Sequence, residues 1–253
     1  MSELNTVVIV GSSLAGLRAA ETLRLEKYEG RIIIVGAEDR QPYDRPPLSK
    51  KVLSGEWEAD RISLRKPEDL AKLNIDWKLG SAATSLNTIT RTITLASGET
   101  IAFDGLIIAT GSGVRKLPNQ PDWKGVHVVR TLDDSLALRA NLNPGARVVV
   151  IGAGFIGLEV AATAKNRGCE VTVLEGAPAP MMRGLGAEMG HAAALVHTDN
   201  GVSMRFNVKV DGLTEGEAGC VGGVALDDGE IVPADVVVAV SYTHLTLPTN
   251  REV

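Results

Sequence analysis

The stretch ARVVVIGAGFIGLEVAATAK, residues 146–165, passes from an apolar strand pattern through three glycines into a helical pattern. Gly152, Gly154 and Gly157 form a complete G-x-G-x-x-G at this junction. The first glycine permits a tight turn, the second lets the backbone approach a pyrophosphate, and the third lets helix and strand pack closely. The N-terminus of the helix offers free N–H groups and a positive dipole end to the phosphates. The stretch therefore predicts a βαβ unit that binds a dinucleotide.

An acidic residue follows the next strand of this unit. The segment CEVTVLE ends at Glu175, a position from which a carboxylate accepts hydrogen bonds from the adenosine ribose hydroxyls. Its negative charge would repel the 2′-phosphate of NADPH, and neither Gly176 nor Ala177 supplies a compensating arginine. The sequence therefore predicts NADH rather than NADPH.

The same pattern occurs near the start of the chain. The segment TVVIVGSSLAGLRAAETLR, residues 6–24, has Gly11 and Gly16 in place and Ser13 at the middle glycine position, and RIIIVGAE ends at Glu38. Two copies in register, each followed by an acid, are more specific than one glycine motif. A hydrolase nucleophile at Ser13 is disfavoured, because the corner is not G-x-S-x-G and no suitable Asp and His follow in order.

Each copy continues into an alternating segment with a turn and a return strand. Ser97-Gly98 supplies the turn in the first copy and Asp228-Gly229 in the second. We therefore predict an α/β fold of two Rossmann-like dinucleotide-binding domains, each with a parallel sheet and a β-ribbon.

The expected domains are residues 1–114 and residues 115–240. A linker near Leu117 is marked by Pro118 and Pro121. The segment TLDDSLALRANL then predicts a helix at the entry to the second domain, with Thr131 and Asp134 at the positions of a capping box.

Composition excludes several classes of function. A net charge of −5 and a pI near 5.5 disfavour nucleic-acid binding. The chain has no apolar run of membrane-spanning length and no signal-type leader, so we expect a cytoplasmic protein without a membrane partner. Cys169 and Cys220 form no redox pair, and the four histidines show no metal-ligand spacing, so no metal is expected.

Five segments together resemble one family, the NADH-dependent ferredoxin reductases of bacterial dioxygenase and cytochrome P450 systems. They are GSSLAGLRAAETLR, PYDRPPLSK (Pro42–Lys50), LIIATG (Leu106–Gly111), VVRTLDDS and VVVIGAGFIGLEVAA. The resemblance covers residues 5–240 and implies a flavoprotein of the glutathione-reductase type. It implies FAD in the first domain, NADH in the second, and a 2Fe-2S ferredoxin as electron acceptor. Because no cysteine precedes Cys169, electrons would leave the flavin directly rather than through a dithiol.

The resemblance also implies which residues hold the cofactors. In the first domain these are Gly11, Ser13, Leu14, Ala15, Gly16, Glu38, Ala82, Ala109, Thr110 and Gly111, and those nearer the flavin are Arg45, Lys50 and Arg130. In the second domain they are Gly152, Gly154, Phe155, Ile156, Gly157, Glu159 and Glu175. Lys50 and Glu159 are the expected catalytic pair, facing each other beside the flavin and the nicotinamide, where a cation stabilises the charge that builds up on reduction.

The last segment, SYTHLTLPTNREV, departs from the family pattern. Relatives continue from this point back into the flavin domain and end in a domain that covers the flavin, so the C-terminal part of the family fold is missing. We expect residues 241–253 not to be native and the FAD-binding domain to be incomplete. Rubredoxin reductases and monodehydroascorbate reductases share much of the pattern and remain alternatives, as does a non-catalytic NAD-binding remnant.

Overall fold

A computed structural model describes residues 4–114, 117, 121–217 and 219–240, and the backbone of residues 242–244. Within these residues the chain divides into two compact units. Among the described residues, the first unit comprises residues 4–44, residues 60–112 and residue 244, and the second comprises residues 45–59 and the residues between 113 and 243. None of the helices in the described part of the chain is long and apolar enough to cross a bilayer.

The secondary structure alternates strands and helices in both halves of the chain. The strands, in chain order, are β1 Thr6–Val10, β2 Arg31–Val35, β3 Ile75–Lys78, β4 Ala83–Asn87, β5 Thr92–Leu95, β6 Thr100–Ala102, β7 Gly105–Ile108, β8 Ser112–Val114, β9 Val126–His127, β10 Arg147–Ile151, β11 Glu170–Leu174, β12 Ser203–Arg205, β13 Val210–Glu215, β14 Val221–Leu226, β15 Ile231–Pro233, β16 Val236–Ala239 and β17 Tyr242–His244. The α-helices are α1 Leu14–Leu25, α2 Lys51–Ser54, α3 Pro67–Lys72, α4 Leu132–Asn141, α5 Phe155–Asn166 and α6 Met182–Asp199, which is kinked at Gly186. Short 3-10 turns span Pro46–Ser49 and Ala59–Ile62.

The first unit is built on a parallel sheet of strand order β3-β2-β1-β7. Val7, Ile9 and Ala20 belong to the apolar layer between this sheet and α1. On the other face, Val8 and Ile33 pack against the antiparallel ribbon β4-β5-β6. Both faces of the sheet are therefore covered, which explains why its central strands are apolar throughout.

The second unit repeats this plan around a parallel sheet of order β12-β11-β10-β16-β9. One face packs against the ribbon β13-β14-β15, with Val149, Leu174 and Val237 at the interface. The opposite face packs against α5. The predicted fold class, two Rossmann-like units with a parallel sheet and a β-ribbon each, is confirmed. The predicted turns and the capping box of Thr131 and Asp134 are confirmed as well, the latter with both reciprocal hydrogen bonds present.

In each sheet an aspartate just before one strand binds the start of the neighbouring strand, linking β7 to β1 in the first unit and β16 to β10 in the second. The Asp104 Oδ2 atom accepts hydrogen bonds from the backbone N–H groups of Asn5, at 3.0 Å, and Thr6, at 2.9 Å, at the start of β1. In the second unit the Asp235 Oδ2 atom accepts from the backbone N–H of Arg147 at 2.9 Å, at the start of β10. The internal repeat therefore extends to side-chain contacts.

Residues 45–59 lie in the second unit, although they fall inside the expected first domain of residues 1–114. Leu48, Val52 and Leu53 are buried, and the turn Pro46–Ser49 and α2 pack against α4 and α5. These contacts join residues far apart in sequence, which local patterns do not reveal. The assignment of one cofactor to each domain stays a prediction.

Two sequence predictions fall mainly on residues outside the described part. The first is the expected linker, in which Pro118 lies outside the described residues. The expected non-native tail, residues 241–253, is described only in the backbone of Tyr242–His244, which pairs with β8. Whether this tail is native stays a prediction.

Candidate functional site

The first glycine loop lies between β1 and α1, as predicted. Gly11 has φ +124°, and a Cβ atom there would stand 2.1 Å from the carbonyl oxygen of Ala109. A Cβ at Gly16 would stand 1.8 Å from the carbonyl oxygen of Gly11, so only glycine allows α1 to approach this closely. The structure thus brings the loop and the segment Ala109–Gly111 together at the carboxyl ends of β1 and β7.

Ser13 is the N-cap residue of α1, with extended backbone angles. Leu14 and Ala15, the first residues of the helix, are exposed within this unit. These three predicted residues therefore border the helix N-terminus, where backbone N–H groups lack intrahelical acceptors.

Glu38 does not occupy the place that Glu175 has in the second unit. In the two registers Val35 corresponds to Leu174, so Gly36 is the residue equivalent to Glu175. A Cβ at Gly36 would stand 2.2 Å from the Ser12 hydroxyl, and no acidic side chain fits there. Glu38 lies two residues further on and accepts a hydrogen bond from the Tyr43 hydroxyl.

Ala82 lies further along the chain, immediately before β4. Its carbonyl oxygen accepts a hydrogen bond from the backbone N–H of Ala96 at 2.7 Å. The cofactor roles of Glu38 and Ala82 stay predictions.

The second glycine loop repeats the first with a more open middle position. A Cβ at Gly157 would stand 2.0 Å from the carbonyl oxygen of Gly152, which fixes the contact between α5 and the loop. At Gly154 a Cβ would meet no atom within 4 Å. The backbone at Gly154 is therefore accessible to a ligand, as the glycine motif predicts.

A cavity of about 750 Å³ opens in front of this loop. Its lining includes the predicted residues Gly152, Gly154, Phe155 and Glu175. Its size lies within the range of about 300–1,000 Å³ that is typical of small-molecule sites. Open space beside a glycine backbone, a helix N-terminus and a carboxylate together fit a dinucleotide.

The Glu175 carboxylate is fixed by backbone groups on both sides. Its Oε2 atom accepts from the N–H of Ala153 at 2.7 Å, within the glycine loop, and its Oε1 atom accepts from the N–H of Ala177 at 2.9 Å. A carboxylate has about four acceptor positions. Glu175 can therefore hold the loop and still accept hydrogen bonds from a ribose.

Several residues that line the 750 Å³ cavity were not predicted from the sequence. They come from the segment before and at the start of α6, where Met181, Met182, Arg183 and Gly184 line the cavity. The backbone N–H of Met181 donates to the carbonyl oxygen of Ala153 at 3.0 Å, which ties this segment to the glycine loop. No motif marks the segment in the sequence. Arg183 adds a cation that the reasoning in favour of NADH did not include, and the coenzyme preference stays a prediction.

A second, smaller cavity of about 280 Å³ collects five other predicted residues. It is lined by Arg45, Lys50, Arg130, Ile156 and Glu159, together with Pro46, Leu48, Ser49 and Val129. Helix α5 contributes to both cavities, because Phe155 lines the larger cavity and Ile156 lines the smaller one.

The smaller cavity contains the predicted ion pair. The Lys50 Nζ atom lies 2.7 Å from the Glu159 Oε2 atom, and 44% of the lysine side chain and 34% of the glutamate side chain are exposed. The Arg45 Nη1 atom donates to the carbonyl oxygen of Arg130 at 2.6 Å. Ser49 was not predicted, and its hydroxyl donates to the same Glu159 oxygen at 2.5 Å. The arrangement holds a cation and a carboxylate at the wall of one cavity, where they can orient a ligand and stabilise charge on it.

Comparison with known proteins shows which family the chain resembles over almost its whole length. A family model for pyridine nucleotide-disulphide oxidoreductases matches residues 5–241. Rhodocoxin reductase of Rhodococcus erythropolis is 37% identical over 237 residues, which are 92% of this chain and 55% of that protein. The ferredoxin–NAD(+) reductase component of the biphenyl dioxygenase system of Paraburkholderia xenovorans is 39% identical over 235 residues, which are 92% of this chain and 57% of that protein.

Among solved structures, a covalent putidaredoxin reductase–putidaredoxin complex matches with a TM-score of 0.90 and 35% identity, covering 94% of this chain and 58% of that chain. The chain thus spans little more than half the length of these relatives. The predicted resemblance to ferredoxin reductases of oxygenase systems is confirmed. The family match extends over both glycine loops and both cavities, and the chain belongs to the pyridine nucleotide-disulphide oxidoreductases.

Proposed function

We propose that this chain is the nucleotide-binding part of an FAD-dependent oxidoreductase that passes electrons from NADH to a 2Fe-2S ferredoxin serving an oxygenase. The observation that carries this proposal is the Lys50–Glu159 pair, which lies on the wall of one cavity while the helix that bears Glu159 also borders the cavity of a glycine loop. A charged pair next to a dinucleotide site can orient a cofactor and stabilise the charge that develops on it.

The second unit would hold NADH. The N–H groups at the start of α5 would bind the pyrophosphate, with Gly152, Gly154 and Gly157 giving it access, and Glu175 would bind the adenosine ribose. Phe155 and Ile156 lie at the same helix start, one toward each cavity. This placement would direct the nicotinamide end toward the smaller cavity.

The loop of Gly11 and Gly16 in the first unit would hold the pyrophosphate of FAD. The roles of Arg45, Lys50 and Arg130 toward the flavin are carried over from the family resemblance. FAD, when bound, accepts a hydride from NADH and can release electrons singly. Lys50 would stabilise negative charge at the flavin, and Glu159 would fix the direction of the Lys50 ammonium.

The electron acceptor is proposed from the relatives and from what the sequence lacks. Two relatives are named as ferredoxin or rhodocoxin reductases. Although the family name refers to disulphides, the only two cysteines of the sequence are Cys169 and Cys220, and both are free thiols, with Cys169 buried. Electrons would therefore leave directly for a small redox protein, in the cytoplasm.

Comparing electron acceptors tests this proposal. The purified chain, supplied with FAD and NADH without oxygen, is mixed in turn with a 2Fe-2S ferredoxin, a rubredoxin and monodehydroascorbate, and the initial rate of reduction of each is measured. Fastest reduction of the ferredoxin supports the proposal, and a preference for either of the other two assigns the chain to that type of reductase. NADH binding without reduction of any acceptor would identify a non-catalytic nucleotide-binding chain.

A further inference from the structure

Three polar residues in the described chain are buried: two of them donate to one short segment, and the third, Ser49, belongs to that segment and donates to Glu159. Ser49 is 4% exposed, Ser135 is 0% exposed and Thr163 is 8% exposed. The Ser135 hydroxyl donates to the carbonyl oxygen of Leu48 at 2.6 Å, and the Thr163 hydroxyl donates to the carbonyl oxygen of Ser49 at 2.9 Å. They come from different helices, Ser135 from α4 and Thr163 from α5. The segment that they bind is the one immediately before Lys50.

The local backbone explains why this segment needs donors from outside. The 3-10 turn Pro46–Ser49 ends at Lys50, whose φ of −123° and ψ of −102° are not helical, and α2 begins at Lys51. Carbonyl groups at the end of a helical turn lack intrahelical partners. Burying such a group without a hydrogen bond costs about 1–3 kcal/mol. The hydroxyls of Ser135 and Thr163 supply the donors that the break at Lys50 removes.

The same helix also holds the side chain of Lys50. Glu159 and Thr163 are four residues apart on α5 and therefore lie on one face of it. Glu159 accepts from the Lys50 ammonium and from the Ser49 hydroxyl through a single oxygen, while Thr163 binds the Ser49 backbone. Helix α5 thus fixes both the backbone before Lys50 and the direction of its ammonium group.

We propose that Ser49, Ser135 and Thr163 are positioning residues for the Lys50–Glu159 pair. The hydroxyls of Ser135 and Thr163 hold the backbone at the break before Lys50, and the Ser49 hydroxyl holds the Glu159 carboxylate. Together they keep the Lys50 ammonium at the wall of the 280 Å³ cavity. The chemical purpose of this arrangement rests on the proposed function, but the arrangement itself is testable without any cofactor. If these three hydroxyls served packing alone, removing one of them would not change the accessibility of Lys50.

The test measures how fast individual lysines react with acetic anhydride, by mass spectrometry, in the full chain without cofactors. Thr163→Val removes the hydroxyl and keeps the shape, and Thr163→Ser keeps the hydroxyl. We expect Thr163→Val and Ser135→Ala to speed acetylation of Lys50 by a factor between about two and ten, which corresponds to the loss of one hydrogen bond. Thr163→Ser should react as the unchanged chain does. Lys124 and Lys209, elsewhere in the second unit, serve as internal references.

An unchanged rate at Lys50 in both Thr163→Val and Ser135→Ala would overturn the inference. An equal rise at Lys50, Lys124 and Lys209 would also overturn it, because general loosening of the fold would then be the cause. The rate of flavin reduction by NADH is a second readout, and it separates this inference from the proposed function. If Thr163→Val exposes Lys50 but leaves the rate of flavin reduction by NADH unchanged, the positioning role stands and the catalytic role of Lys50 fails.

Discussion

At the scale of single residues, Glu175 combines two tasks that the sequence shows only in part. Its position after β11 predicts a ribose ligand, and its hydrogen bonds to Ala153 and Ala177 also make it part of the loop structure. The first unit lacks this arrangement, because Gly36 stands in the equivalent place and Ser12 fills the space. The strand pattern alone did not reveal that difference, since an acid follows both strands within three residues.

Replacing Glu175 tests the origin of coenzyme preference. Glu175→Gln removes the charge that would repel a 2′-phosphate, so the ratio of NADH affinity to NADPH affinity should fall by about tenfold. Fluorescence titration with both coenzymes measures the ratio. Glu170→Gln, at the opposite end of β11, is the control and should leave the ratio unchanged. If Arg183→Ala rather than Glu175→Gln shifts the ratio, Arg183 determines the preference.

Replacing Lys50 tests the proposed catalytic pair. Lys50→Met removes the cation but keeps the length of the side chain, and it should slow flavin reduction by NADH by at least about tenfold. Stopped-flow absorbance of the flavin measures the rate. Lys51→Met is a matched control, because Lys51 pairs with Glu56 and does not line either cavity. Equal rates in the two variants would remove Lys50 from the mechanism.

At the scale of elements, the two glycine loops show which features a sequence pattern can predict. The third glycine of each motif is fixed by contacts of 1.8 Å and 2.0 Å that a Cβ would make with the loop, and the middle position is open in the second loop. These are local requirements of a strand, a turn and a helix, so the sequence predicts them well. Ser49 was missed because its partner Glu159 lies 110 residues away.

Two alanine substitutions in the second loop should affect different properties, one the stability of the fold and the other the binding of NADH. Gly157→Ala places a methyl group against the Gly152 carbonyl and should lower the free energy of unfolding by about 1–3 kcal/mol. Gly154→Ala meets no atom within 4 Å, so it should leave stability nearly unchanged and weaken NADH binding. Urea unfolding and fluorescence titration measure the two effects. NADH binding by Gly154→Ala as tight as by the unchanged chain would show that the nucleotide does not approach this residue.

The stabilisation of the fold by the contact between Asp235 and Arg147, which links β16 to β10, should depend on pH. Hydrogen bonding to Arg147 lowers the pKa of Asp235 below its usual value. The stabilisation is therefore present above the unfolded pKa of about 3.9 and is lost as the pH falls through the lower folded value. Because both side chains are about half exposed, we expect the ion pair to contribute no more than about 1 kcal/mol to the free energy of unfolding.

Urea unfolding of the unchanged chain and of Asp235→Asn between about pH 7 and pH 3 tests this dependence. The difference in the free energy of unfolding should be largest at neutral pH and should shrink toward the acid end. Asp211→Asn, at an exposed position of β13, is the control and should show no such trend. A difference that is the same at every pH would contradict the assignment to this ion pair.

At the scale of the whole molecule, the internal repeat predicted two similar units, while the path of one segment could not be predicted. Both parallel sheets, both ribbons and the capping box follow from local periodicity and turn residues. Residues 45–59 join the second unit through buried contacts of Leu48, Val52 and Leu53. Such contacts depend on which long-range packing is most favourable, and no local pattern encodes that choice.

The most direct test of the account is an anaerobic titration of the purified chain, supplied with FAD, with NADH while the visible absorption band of the flavin is recorded. We predict that NADH bleaches the band, because the proposed function places NADH in the second unit and assigns the Lys50–Glu159 pair to the flavin. Flavin that stays bound and oxidised in excess NADH would contradict the account. A chain that binds NADH but retains no FAD when unbound flavin is removed would also contradict it and would leave only the nucleotide-binding part of the proposal.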